Sequence, residues 1–165
     1  MQNSVFIAVS LDGYIARPDG GIDWLDRVQV EGEDYGFAAF WASLGTMVMG
    51  RGTWDKARGF REWPYGGKRV IVLTNRPETG EHGEEFFAGD VRDLALEGRV
   101  YVDGGVVIRQ FLAAGLIADL TISIIPVLLG AGIPLFGAGV PEVGLKLLEQ
   151  RTYPSGLVQL RYARG

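Results

Sequence analysis

Val48-Met49-Gly50-Arg51-Gly52-Thr53-Trp54 and Val102-Asp103-Gly104-Gly105-Val106 are the two stretches on which the fold turns. In each, a short apolar run stops at glycine and a helical pattern follows. A glycine directly after a buried strand lets the backbone come close to a ligand. The first turn of the following helix then offers free N–H groups to an anion. Arg51 adds a guanidinium fork that suits phosphate oxygens. Either stretch alone is also what an ordinary strand-to-helix turn looks like. Two of them at the carboxyl ends of parallel strands would share one rim, where α/β sheets bind ligands. Neither is a GxGxxG, Gly67-Lys68 lacks the upstream glycine of a phosphate-binding P-loop, and no GxSxG nucleophile elbow is present.

Working outward, apolar β-rich runs predict strands over residues 4–9, 46–49, 69–73, 100–102 and 119–125, with a minor one at 85–87. Residues 52–58 and 106–114 read as helices. So do residues 33–44, where Phe37, Phe40, Trp41 and Leu44 fall on one face and Glu33 and Asp34 occupy the first turn. A long loop reaches from the first strand to about residue 32, and loops of that length are often functional. Residues 145–153 and 157–163 flank Pro154-Ser155-Gly156 and predict a closing hairpin. The expectation is an α/β fold in a single domain over residues 1–165. It has a mostly parallel central sheet flanked by helices, with an antiparallel C-terminal hairpin.

Composition narrows the function. The net charge is −4 and no lysine or arginine cluster exceeds two neighbours, so nucleic acid and acidic membranes are poor partners. The chain has no cysteine, which removes disulfides, thiol nucleophiles and cysteine-bound zinc. Its one histidine, His82, lies in a polar loop-like stretch, so no metal site is expected. The start MQNSVFIAVS has no basic region or cleavage site, and the apolar run 120–136 is broken by Pro126, Gly130, Gly132 and Pro134. A soluble cytoplasmic protein acting on a small-molecule substrate is expected. A homodimer built on residues 121–136 is expected too, because that run exceeds what one small core needs.

The order of motifs resembles the dihydrofolate reductase-like superfamily, and more closely its branch containing the C-terminal reductase domain of the riboflavin-biosynthesis deaminase-reductase. Val9-Ser10-Leu11-Asp12-Gly13-Tyr14-Ile15-Ala16 is similar to the SLDGxIA of that branch. Met49-Gly50-Arg51-Gly52-Thr53-Trp54, Val72-Leu73-Thr74-Asn75-Arg76, Asp103-Gly104-Gly105 and residues 126–132 follow in family order. The resemblance implies NADPH as cofactor and hydride transfer to a small heterocycle or aminosugar. It implies that Gly50, Arg51, Gly52 and Thr53, together with Gly104, Gly105 and Val106, hold the cofactor phosphates. Thr74, Asn75 and Arg76 would surround the adenine ribose, with Arg76 facing a 2′-phosphate, and Ala8 and Ile15 would lie near the nicotinamide.

Two carboxylates are the catalytic candidates. Asp34 stands fifteen residues before Met49, the spacing at which dihydrofolate reductases place their substrate-anchoring acid. It also suits a helix start held by the dipole. Asp12 ends the first strand and suits either substrate contact or a turn. Trp24 would cover the nicotinamide or anchor the long loop. Without cysteine the zinc signature of the deaminase half cannot exist, and the stretch Asp19-Gly20-Gly21-Ile22-Asp23-Trp24 departs from both branches. Two alternatives stay open, a true dihydrofolate reductase and, from another class, a nucleotide-binding sensor or structural dimer without turnover.

Overall fold

The computed structural model describes residues 2–165. β1 (Gln2–Ser10) carries the buried run Asn3, Ser4, Val5 and Val9, and a tight turn at Gly13 leads to the short β2 (Tyr14–Ala16). The long loop is only partly irregular: Asp23–Val28 forms a 3-10 helix that buries Trp24 and Val28. α1 (Phe37–Ala42) is shorter than the helix expected over residues 33–44. Its apolar face was read correctly, but Tyr35 (φ 55°) and Gly36 (φ 85°) take left-handed backbone, so the helix cannot begin before Phe37.

β3 (Thr46–Gly50) runs into α2 (Arg51–Ala57), and β4 (Arg69–Leu73) and β5 (Glu85–Phe87) follow. Between β5 and β6 (Arg99–Asp103) the chain makes only a 3-10 turn at Val91–Asp93. α3 (Gly105–Ala113) then leads to β7 (Ile117–Ile125). The two-residue β8 (Ile133–Pro134) pairs with β2 in a small separate ribbon. β9 (Leu145–Thr152) and β10 (Val158–Arg164) form the closing hairpin.

The eight-stranded sheet has the order β5-β4-β3-β6-β1-β7-β10-β9. The first six strands in that order are mutually parallel, and β10 and β9 are antiparallel. The α/β expectation of a mostly parallel sheet with a terminal antiparallel hairpin is therefore met. α3 covers one face through Val107, Ile108, Phe111 and Leu112, packed on Val5, Val48, Val100 and Val102. α1 and α2 cover the other through Phe40 and Trp54, packed on Met47, Met49, Val70 and Tyr101. Each such large side chain taken fully from water contributes about 1.5–3 kcal/mol. Among the described residues no helix is long and apolar enough to cross a membrane. About a third of the run expected at a dimer contact, residues 121–125, is spent inside the sheet, because β7 lies between β1 and β10. Its exposed apolar residues are Leu128, Ile133 and Phe136.

Candidate functional site

β1 and β6 are paired only where Gln2, Asn3 and Ser4 oppose Arg99, Val100 and Tyr101. Beyond that point β1 stays with β7 as far as Ser10, while β6 stays with β3 as far as Asp103. The two central strands thus part toward their carboxyl ends. The strand order also reverses here, with β3 and β4 on one side and β7 on the other. A crevice at such a switch point is where open α/β sheets take ligands.

Both strand–glycine–helix junctions open onto this rim, and they touch. Gly104 has φ 95°, and a methyl group on it would stand 3.2 Å from Thr53 Oγ1 and 3.8 Å from the Gly50 amide nitrogen. A methyl on Gly50 would meet Val107 at 3.3 Å. One on Gly105 would meet Ile15 Cδ1 at 3.0 Å and Arg109 at 3.1 Å. Gly50, Thr53, Gly104, Gly105 and Ile15 are therefore one cluster, drawn from three stretches of chain. Gly52 faces open space and Val106 is exposed, so the first turns of α2 and α3 remain accessible. Ala8 sits on β1 beside Ser123 of β7 and packs toward the Trp24 cluster.

The loop after β4 joins the same rim. Thr74 Oγ1 accepts from the Arg76 amide at 3.1 Å, and the Arg51 guanidinium donates to the Arg76 carbonyl oxygen at 3.0 Å. Asn75 and the Arg76 side chain are exposed. Arg51 itself is engaged: it pairs with Asp55 at 3.1 Å and with Glu78, and it lies 5.2 Å from the Trp54 ring centre. A phosphate reaching Arg51 would displace carboxylates already there.

The two candidate carboxylates are tied to backbone. Asp12 Oδ1 accepts from Ser10 Oγ (2.6 Å) and the Leu129 amide (3.1 Å), and its Oδ2 accepts from the Gly130 amide (2.8 Å). These bonds, led by Ser10, hold Asp12 below the usual carboxylate range. Asp34 is exposed, and its two oxygens accept from the Ala38 and Gly36 amides at 2.9 Å each, which lowers its pKa as well. Trp24 is buried on Val28, Ile125 and Leu157 and anchors the long loop, while His82 is an exposed residue stacked on Trp63 at 4.5 Å.

A third carboxylate was not singled out from the sequence. Asp103 ends β6 opposite Met49, directly before Gly104, on the sheet face that carries Tyr101. Burial pushes it up to about 6, against the pull of the Gly104 N–H bond (2.9 Å) and of Tyr101. Tyr65, from the loop before β4, is pushed up to about 12 by its own burial and by the Asp103 charge. Asp103, Tyr101 and Tyr65 form a polar cluster at the base of the parting strands. The sequence signal was an acid immediately before a strand-end Gly-Gly pair.

Comparison with known proteins places this geometry. The family described as the RibD C-terminal domain matches residues 84–159. The protein YwjB of Bacillus subtilis strain 168 is 34% identical over 171 aligned positions, covering 98% of this chain and 97% of that protein. A solved structure from Shewanella sp. PV-4, whose name places it in riboflavin biosynthesis, is 36% identical. It superposes with a TM-score of 0.90 over 100% of this chain and 99% of that one. Dihydrofolate reductase from Enterococcus faecalis, solved with NADP(H) and RAB-propyl, shares the fold at a TM-score of 0.65 and 17% identity, covering 99% of this chain and 96% of that one. The chain belongs to the RibD C-terminal-domain family.

Proposed function

We propose that this protein is an NADPH-dependent reductase that delivers a hydride to a small heterocycle, within one domain spanning residues 1–165. The family is one of NADPH-dependent oxidoreductases. The observation that carries the reading to this chain is the contact between the two glycine junctions at the parting of β1 and β6. Two accessible helix starts and an open glycine backbone lie side by side there, a cradle with the donor chemistry that a diphosphate requires.

In this reading Gly50, Arg51, Gly52 and Thr53 of α2 and Gly104, Gly105 and Val106 of α3 bind the diphosphate. Thr74, Asn75 and Arg76 bind the adenine ribose and its phosphate, and Ala8 and Ile15 border the nicotinamide. Bound in the cradle, the dinucleotide supplies the hydride. Asp103 is the group we assign to deliver the proton, because a carboxyl with a pKa of about 6 keeps roughly a tenth of its protons at pH 7 and can exchange them, and it ends β6 directly before the Gly104 junction. Asp12 and Asp34 take part as anions: Asp12 ties the strand-end turn to residues 129–130, and Asp34 stands ready to pair with a cationic ring. We further place the protein in the cytoplasm as a homodimer. Leu145, Leu147 and Leu148 on the exposed edge strand β9 support the dimer, since edges left apolar attract a partner.

Fluorescence titration with NADPH and NADH, using the four tryptophans, tests the reading. Saturable NADPH binding with much weaker NADH binding, followed by NADPH oxidation with pterin or pyrimidine substrates, is the expected result. Absence of binding by either dinucleotide refutes it and favours a structural dimer. Light scattering that finds a monomer at micromolar concentration refutes the dimer alone.

A further inference from the structure

A cavity of about 320 Å³ lies between α1 and the β7–β10–β9 end of the sheet. It is set apart from the glycine rim. Its floor is Phe6, Thr121 and Arg161, which stand in direct register in the middle of β1, β7 and β10. Phe40 and Ala39 of α1 form an apolar wall. The volume falls at the small end of ligand pockets, roughly 300–1,000 Å³.

Its charge runs against that of the protein. The chain carries −4 overall, yet three arginines and a single carboxylate line the cavity. Arg99 is occupied: it donates to Ser4 Oγ (3.1 Å) and Ser43 Oγ (2.9 Å), stands 3.5 Å from the buried Asp119 carboxylate, and lies over the Phe40 ring. Arg151 is occupied by Glu149, at 2.6 Å from Nε. Gln159 has its amide nitrogen fixed by the Tyr35 carbonyl oxygen (2.9 Å) and Ser123 Oγ (3.0 Å). Arg161 is different. Its residue is half-buried on the cavity floor, and among the described residues it makes no hydrogen bond or ion pair. Glu149, opposite it on β9, is taken by Arg151, so the five N–H donors have no protein acceptor beside an apolar wall, where a partner of opposite charge gains most.

We propose that this cavity binds a small organic anion, with its carboxylate or phosphoryl oxygens on Arg161 and its apolar ring or chain against Phe6 and Phe40. The site stands on its own residues and does not depend on the reductase reading, since none of its lining side chains belongs to the glycine rim.

Calorimetric titration of the whole protein with benzoate, phenyl phosphate and benzamide tests it. Benzoate or phenyl phosphate binds with one-to-one stoichiometry, and benzamide, which has the ring without the charge, does not. The tighter of the two anions identifies the headgroup. Arg161→Gln weakens that binding about tenfold or more, as expected for loss of a charged hydrogen-bond pair. Arg161→Lys keeps the charge and the stem but loses the fork, and retains part of the affinity. Arg92→Gln, on an exposed 3-10 turn, leaves it unchanged. Far-UV circular dichroism and urea unfolding of Arg161→Gln match the unaltered protein and report that the variant is folded. Failure of both anions to bind, or undiminished binding by folded Arg161→Gln and Arg161→Lys, overturns the proposal.

Discussion

Asp103→Asn removes the ionisable group at the base of the crevice and keeps an oxygen to accept the Gly104 N–H bond. Burial raises the folded-state pKa of Asp103 from 3.8 to about 6. The folded state therefore binds this proton more tightly than the unfolded chain does. Stability from the group is fully present below pH 3.8 and is lost as pH rises through 6. About two pKa units at 1.36 kcal/mol each give a penalty of about 3 kcal/mol above pH 7, with roughly half of it present at pH 5. Asn cannot ionise and escapes the penalty. Urea unfolding should find the variant level with the unaltered protein near pH 3.5 and up to about 3 kcal/mol more stable at pH 7.5.

The same change should disable the enzyme. Loss of a positioned proton donor lowers turnover by about 10²- to 10⁴-fold, while NADPH affinity persists because the cradle is untouched. With Asp103 intact, turnover should fall as pH rises past 6, and the Asn variant should lack that limb. A variant that gains stability and loses activity would mark a group retained for chemistry at a cost in folding. Equal stability at pH 7.5, or turnover matching the unaltered protein, would refute the reasoning.

Other changes test the remaining parts of the site. Arg76→Ala should weaken NADPH by about tenfold and leave NADH affinity unchanged, because only the former carries a phosphate for this exposed guanidinium; paired titrations read this directly. Gly104→Ala places a methyl 3.2 Å from Thr53 Oγ1 on backbone at φ 95°. It should cost about 1–3 kcal/mol in thermal or urea unfolding and weaken cofactor binding as well. Gly132→Ala would drive a methyl into the Ala16 carbonyl oxygen. It should open the β2–β8 ribbon, seen as faster amide exchange over residues 14–16 with the main sheet still protected.

How far the sequence could be read follows from how local each signal is. The parallel strands were legible because runs such as residues 70–73 are apolar throughout, as strands covered on both faces must be. The start of α1 was not, since Phe37, Phe40 and Trp41 keep helical spacing whatever precedes them. The left-handed backbone at Tyr35 and Gly36 is set by their contacts: Tyr35 bonds to Val28 and Ser155, and Gln159 bonds to its carbonyl. The β2–β8 ribbon joins three residues to two across more than a hundred positions, too short to leave a pattern. The glycine junctions could be read because each is contiguous. The cavity could not, because Arg99, Arg151 and Arg161 meet only after three strands are assembled.

The three aspartates at strand and helix ends carry this distinction into the chemistry. Asp34 was selected by its spacing from Met49 and Asp12 by its place at the end of the first strand. What spacing cannot supply is the number of N–H and O–H groups that fold onto a carboxylate. Asp12 collects three such donors and Asp34 two, so each is held as an anion at neutral pH. Asp103 has its own neighbour's amide and otherwise the buried Tyr101 and the half-buried Tyr65, and burial wins. The proton donor we propose is a carboxyl with few N–H partners, and its burial at the end of β6 is something only the folded sheet defines.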